Sequence, residues 1–171
     1  LFEYFIRKLI KRDGVRLLSK FEQRYEIPAG ALGNYMRKLE PDLVFESDGG
    51  LYVFDVKYKA FDPQFGVKRE DLFQLHTYIG QYGNGASIKG CGFVYPISEE
   101  RWAALNLDKT QGLISDVIRQ QKQDIPFHVL FLKIPNNTSL DFNRLMNEQC
   151  RMFIDTIQSK ILIKEKIAAW A

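Results

Sequence analysis

Residues 40–58 read EPDLVFESDGGLYVFDVKY, and this stretch decides the fold. Two apolar runs, residues 39–45 and 51–59, flank Ser47-Asp48-Gly49-Gly50. An Asp-Gly turn between such runs predicts a β-hairpin. Side chains alternate along a strand. Leu51, Val53, Asp55, Lys57 and Lys59 therefore share one face, and Tyr52, Phe54, Val56 and Tyr58 share the other. The second face is apolar or aromatic throughout and is expected to pack on the core. The first turns from apolar to charged at Asp55, as a strand does when it runs into a cleft.

That alternation sets a carboxylate, Asp55, beside an ammonium, Lys57. Asp42, after Pro41 on the first run, brings a second carboxylate to the neighbouring strand. Two such carboxylates offer a divalent cation hard oxygen ligands, and a lysine beside them can orient or activate water. This is the equipment of a metal-dependent phosphodiesterase. A carboxylate on an apolar strand is costly unless it is paired or metal-bound. For either aspartate alone, a salt bridge with Lys57 or a turn-capping role explains it as well. Mg²⁺ is the expected ion, with Mn²⁺ able to substitute, because carboxylate, carbonyl and water suit hard cations.

Outward from the hairpin, residues 1–19 carry Leu1, Phe2, Phe5, Ile6, Leu9 and Ile10 at amphipathic-helix spacing, broken by Asp13-Gly14. Residues 20–27 alternate and end at Pro28, predicting a strand. Residues 29–34 read as a loop, as do residues 61–66 beside the cleft. Residues 68–82 form a helix with Leu72, Leu75 and Ile79 on one side and Asp71, Gln74 and Tyr78 on an adjacent one. Four glycines in residues 80–90 predict a mobile loop, followed by a short buried strand, residues 90–95, closed by Pro96. A helix is expected near residues 113–123, a strand at 127–134, a turn at Asn136-Asn137-Thr138, and one or two amphipathic helices over residues 139–167. No function is assigned to residues 97–126. The stripe Leu145, Phe153, Ile157 and Ile161 reads as core or a partner-facing helix face.

A chain of 171 residues suits one domain, residues 1–171. Its hydrophobic share of 46% supplies a core, and a net charge of +3 permits nucleic-acid binding without arguing for it. Cys91 and Cys150 stand far apart in no metal-binding pattern and read as buried thiols suited to a reducing cytoplasm. His76 and His128 lack metal-ligand spacing and read as structural. No apolar run reaches membrane-spanning length and no signal peptide is visible. The chain opens on Leu1 in a helical pattern, as expected of a fragment of a longer protein.

Pro41-Asp42, the spacer and Asp55-Val56-Lys57 together resemble the PD-(D/E)xK nuclease superfamily. Asp71-Leu72-Phe73-Gln74-Leu75-His76-Thr77-Tyr78 resembles the Asp-x-x-Gln-x-x-x-Tyr helix of part of that superfamily. The order of Pro-Asp, Asp55-Val56-Lys57-Tyr58-Lys59, the helix motif and Phe93-Val94-Tyr95-Pro96 is most similar to McrC, the nuclease subunit of modified-cytosine restriction systems. Leu1-Phe2-Glu3-Tyr4-Phe5 is similar to that family's first nuclease-domain helix. The resemblance covers roughly residues 1–96.

It implies an α/β fold with a restriction-endonuclease-like core, a central mixed sheet flanked by helices in αβββαβ order, and an extra C-terminal strand and helices. It implies a metal-dependent DNA endonuclease with Asp42, Asp55, Lys57 and Gln74 as catalytic residues and Glu3 and Tyr78 in support. Asp42, Asp55, the Val56 backbone carbonyl and, as a further candidate, Glu3 would hold the metal. Lys57 would either activate water or stabilise charge, and Asp71 would act as a helix-turn or bracing residue instead. Lys59, Lys68 and Arg69 flank the cleft as candidates for phosphate contacts, although each taken singly reads as solvated charge. Implied partners are DNA and a separate AAA+ motor-recognition subunit of McrB type, with a dimer as one route to double-strand cleavage. The residues leave open a non-catalytic nucleic-acid-binding or assembly module on the same fold, and an RNase or single-strand nuclease.

Overall fold

The computed structural model describes residues 1–19, 25–27, 37–119, 123–138 and 140–162. Helix α1 (Phe2–Arg12) buries Ile6, Leu9 and Ile10 on one stripe. Glu3 in its first turn and Lys11 and Arg12 in its last match the helix dipole. Gly14, at φ 78°, turns the chain immediately after the helix. Residues 16–18 then run along strand β3 (Leu43–Ser47), with backbone bonds Leu18 N–H to Val44 O and Glu46 N–H to Arg16 O, both 2.9 Å.

Strand β4 (Gly50–Val56) pairs antiparallel with β3, Ser47 opposite Gly50. The two connecting residues, Asp48 and Gly49, have φ of 48° and 71°. Positive φ at both positions is the turn that matches strand twist, and Asp-Gly adopts it readily. This is the hairpin expected from the sequence, although its strands are shorter. Leu39 belongs to a separate two-stranded ribbon formed by β1 (Tyr25–Ile27) and β2 (Arg37–Leu39). The strand expected at residues 20–27 thus pairs outside the main sheet, and residues 20–24 and the loop 29–34 lie outside the described residues.

Helix α2 (Arg69–Tyr82) crosses from β4 to β5 (Ser87–Ser98), which lies parallel to β4. The helix takes in Gly80, so the connection is only residues 83–86, shorter than the glycine count predicts. Strand β5 also continues past Pro96. Val94 bonds toward β4 through Lys57 N–H to Val94 O at 2.8 Å. Pro96, two residues on, points its missing donor the same way, beyond the end of β4 at Val56.

Helix α3 (Glu99–Ala104) leads through a 3₁₀ turn to β6 (Leu113–Ile118), which pairs antiparallel with β7 (Ile125–Ile134). The helix expected near residues 113–123 is therefore incorrect where the chain is described. Ile114, Val117 and Ile118 are β-branched and fit a pleated surface better than a helix. Strand β7 adds parallel to β5, giving the order β3-β4-β5-β7-β6. Helix α4 (Phe142–Thr156) and a π-helical turn, Ile157–Ile161, close the described chain.

The result is a three-layer α/β fold, a mixed five-stranded sheet flanked by helices, consistent with a restriction-endonuclease-like core. On one face Ile6, Leu9 and Ile10 of α1 and Phe153 and Ile157 of the C-terminal helices pack on Phe45, Tyr52 and Phe54. On the other, Leu75, Tyr78, Ile79 and Tyr82 of α2 and Trp102 of α3 pack on Val53, Phe93 and Tyr95. Strand β4 is covered on both faces, which accounts for its nearly unbroken apolar run. Cys91 and Cys150 are buried free thiols. His128 is buried against Phe54, whereas His76 is exposed.

Gly92 marks the tightest backbone approach in the sheet. A Cβ built there would fall 1.8 Å from His128 O on β7. Backbone cannot yield as a side chain can, so Gly92→Ala is expected to destabilise the protein by about 2 kcal/mol or more. Thermal or urea denaturation of the purified variant checks this, and an unchanged midpoint would contradict it.

Candidate active site

The charged end of β4 faces α2. Asp55 follows Val53 on the face covered by that helix and is buried. The hairpin register sets Leu43 opposite Phe54, so Asp42 comes level with Asp55. Asp42 is half-buried, and its Oδ2 accepts the Val56 N–H at 2.8 Å. Its own backbone is held from α1, where Arg7 donates to Asp42 O and, at 2.9 Å, to Leu18 O.

Lys57 is anchored by its backbone bond to Val94, and its side chain is largely buried. Its ammonium meets three acceptors, Asp55 Oδ2 at 2.6 Å, Asp71 Oδ1 at 2.9 Å and Gln74 Oε1 at 3.1 Å. Three N–H donors thus find three oxygens. The Phe93 ring lies beneath, 5.4 Å from Nζ to its centroid. Asp71, Gln74 and Tyr78 occupy one side of α2, and Gln74 Nε2 donates to Tyr78 Oη at 2.7 Å. Lys59 completes the chain of charges by meeting the second Asp71 oxygen as an ion pair rather than an aligned hydrogen bond.

Burial pushes the Asp55 carboxyl above its ordinary pKa, and the negative charges of Asp71 and Glu3 add to that; Lys57 opposes it. Burial alone would lower the pKa of Lys57, but its hydrogen bonds and charge pairing with Asp55 and Asp71 outweigh burial and hold it above the usual lysine value. For Asp71, burial raises the pKa and the contacts with Lys59 and Lys57 lower it; the lysines win, and its carboxyl is held below the usual range. The Tyr78 hydroxyl is pushed up to about 12 by burial and by the Asp55 charge, so it keeps its proton.

Of the residues singled out from sequence, Asp42, Asp55, Lys57, Gln74 and Tyr78 converge here. Glu3, on α1, is close enough for its charge to act on Asp55. Lys59 is bound to Asp71 within the cluster. Lys68 and Arg69 stand exposed at the start of α2, Arg69 stacked over the Phe73 ring at 5.0 Å, outside the contacts of the cluster. Tyr58 differs from expectation. β4 ends at Val56, the alternation stops there, and Tyr58 is 83% exposed rather than packed on the core. Asp71, expected as a helix-turn or bracing residue, is a direct partner of two lysines. Its spacing of three and seven residues before Gln74 and Tyr78 was the available signal. Arg7 gave none, because its contacts are tertiary.

Among the described residues, no three acidic, histidine or cysteine side chains gather into a metal cage. The oxygens available are the carboxylates of Asp42 and Asp55, with Glu3 nearby, and the Val56 carbonyl.

The mixed sheet flanked by helices is consistent with a restriction-endonuclease-like core, and the acid–lysine cluster stands at the C-terminal end of its interior strand β4. The chain belongs to the family described as McrBC 5-methylcytosine restriction system component, whose model matches residues 1–96. It is thus a relative of restriction-system components. The matched segment runs from α1 into β5 and contains every residue of the cluster. No curated protein matches the chain. No helix among the described residues is long and apolar enough to cross a membrane.

The opposed shifts make the cluster legible by titration. Because the folded pKa of Asp55 is raised, its charged form costs stability that appears as pH rises above about 4 through the raised folded value. Asp71 is lowered, so its contribution is full above about 4 and is lost as pH falls through the folded value. With chelator present, Asp55→Asn is expected to raise Tm at neutral pH and flatten the first limb. Asp71→Asn should lose on the order of 2 kcal/mol. Calorimetric scans from pH 3 to pH 8 read both; a lower Tm for Asp55→Asn would contradict the assignment.

Proposed function

We propose that the chain is a metal-dependent endonuclease domain that hydrolyses DNA phosphodiester bonds within a restriction system of the McrBC type. The observation that carries this reading is the Lys57 ammonium held by Asp55, Asp71 and Gln74 at the end of β4, beside Asp42. A structural salt bridge alone needs neither a second carboxylate on Lys57 nor the Gln74–Tyr78 extension. Family membership supplies the restriction context.

The donor set fits a magnesium-class ion. A buried carboxyl whose charged form is disfavoured, with further negative charge around it, gains from a dication. Two carboxylates and a carbonyl, with no third acid in a cage, suit a cation that keeps several waters. Asp42, Asp55 and the Val56 carbonyl would hold it, with Glu3 the further candidate. When bound, Mg²⁺ supplies a water of lowered pKa and charge neutralisation at the phosphate.

The chain's own residues divide the remaining work. Lys57 is held as an ammonium by its three acceptors, which supports a role in stabilising negative charge on the phosphate. Asp71 fixes Lys57 and Lys59 from α2. Gln74 orients Lys57 and is in turn braced by Tyr78. Lys59, Lys68 and Arg69 would contribute phosphate contacts that carry affinity without sequence information. An AAA+ motor subunit of McrB type would supply site recognition, and two copies of the domain would cut the two strands.

With plasmid DNA and Mg²⁺, the chain should nick, and Asp55→Ala and Lys57→Ala should each lose at least about 10²-fold in rate while keeping the native circular dichroism spectrum. Chelation should abolish nicking, and Mn²⁺ should restore it. Titration calorimetry should show the ion bound by wild type and not by Asp55→Ala. Undiminished nicking by Asp55→Ala would overturn the proposal.

A further inference from the structure

A groove of about 930 Å³ opens beside the cluster and shares Lys59 with it. Its walls come from α1, the chain just past β4, the end of β5 and α4. Rings line it. Tyr4 and Tyr58 are 59% and 83% exposed, and Phe2 braces Tyr58 with ring centroids 6.1 Å apart. Exposed aromatic surface of this extent is costly unless something covers it. The polar complement is one-sided. Among the described residues Lys8, Lys59 and Arg101 line the groove, and no aspartate or glutamate does. Lys8 lies over the Tyr4 ring at 4.9 Å. Among the described residues neither Lys8 nor Arg101 is in an ion pair.

We infer that this groove binds an unpaired stretch of the nucleic-acid strand next to the scissile phosphate. Its bases stack on Tyr58 and Tyr4, and its phosphates meet Lys8, Lys59 and Arg101. The inference rests on the reading of the Asp55–Lys57 cluster as a phosphodiesterase centre. Rings interleaved with cations, without acids, are how proteins hold single strands irrespective of sequence. A purely apolar partner would leave Lys8 and Arg101 without counter-charge. Continuity through Lys59 decides between a strand and a protein segment, because a strand seated at Asp55 and Lys57 must leave along one side of the cluster. Paired bases would keep their faces stacked on one another and could not use the rings. The strand is accordingly unpaired on this side of the cut once it is bound.

The test is binding, read without catalysis. Fluorescence anisotropy with chelator present compares a labelled single-stranded oligonucleotide with its blunt duplex, on wild type, Tyr58→Ala, Tyr4→Ala and Tyr58→Trp. Each alanine variant is expected to lose roughly tenfold in single-strand affinity, with little change for duplex. Tyr58→Trp should retain single-strand binding. Circular dichroism confirms that the variants are folded. Equal losses on both substrates, or none, would overturn the inference. So would unchanged oligonucleotide affinity together with altered sedimentation, which would assign the groove to a protein contact. Nicking is measured separately. A ring-dependent preference for single strands in a chain that never nicks would keep the groove and remove the nuclease reading. Nicking with no ring dependence would do the reverse.

Discussion

The ammonium of Lys57 is the charge around which the rest of the cluster is arranged. It leaves water for a site where a bare charge would be costly, and does so because Asp55, Asp71 and Gln74 meet its three protons. The contact also joins two consecutive elements, the end of strand β4 and the helix α2 that crosses from it to β5. Position is transmitted from there. Asp71 draws in Lys59, Gln74 draws in Tyr78, and the neighbouring strand brings Asp42 against the Val56 amide. Removing Lys57 would leave Asp55 and Asp71 without the cation they share.

The charges do not balance comfortably at Asp55. Its partner Lys57 is shared with Asp71, and Glu3 adds repulsion from α1. The carboxyl is therefore strained electrostatically in the protein alone. This differs from Asp71, whose two lysines more than offset its burial. Two aspartates on facing elements thus have opposite characters, one settled and one in need of positive charge. Settled groups hold architecture, whereas unsettled ones are where chemistry tends to be found.

Much of this was legible in the sequence where side-chain periodicity carries it. Alternation along residues 51–57 put Asp55 and Lys57 on one face, and helical spacing aligned Asp71, Gln74 and Tyr78 on another. The Asp48-Gly49 turn set the register that brings Asp42 level with Asp55. Reading failed where periodicity ends or tertiary pairing decides. Tyr58 follows the alternation in sequence, yet the strand stops at Val56 and frees it. Residues 113–118 have little periodicity of their own and become a strand because β7 offers a ladder. Arg7 reaches Asp42 and Leu18 across the fold, which no local pattern announces.

The proline in β5 has a further consequence. Past Val94 this strand has lost β4 as a neighbour, and its uncovered margin, Pro96 to Ser98, borders the aromatic groove. An open sheet margin invites another chain to zip onto it and so to aggregate. Pro96 lacks the donor that such an intruder would engage first, and its ring stands in the way. The groove can therefore stay open and apolar without acting as a template for strand addition. Whatever enters it meets a sheet margin that resists strand pairing at Pro96.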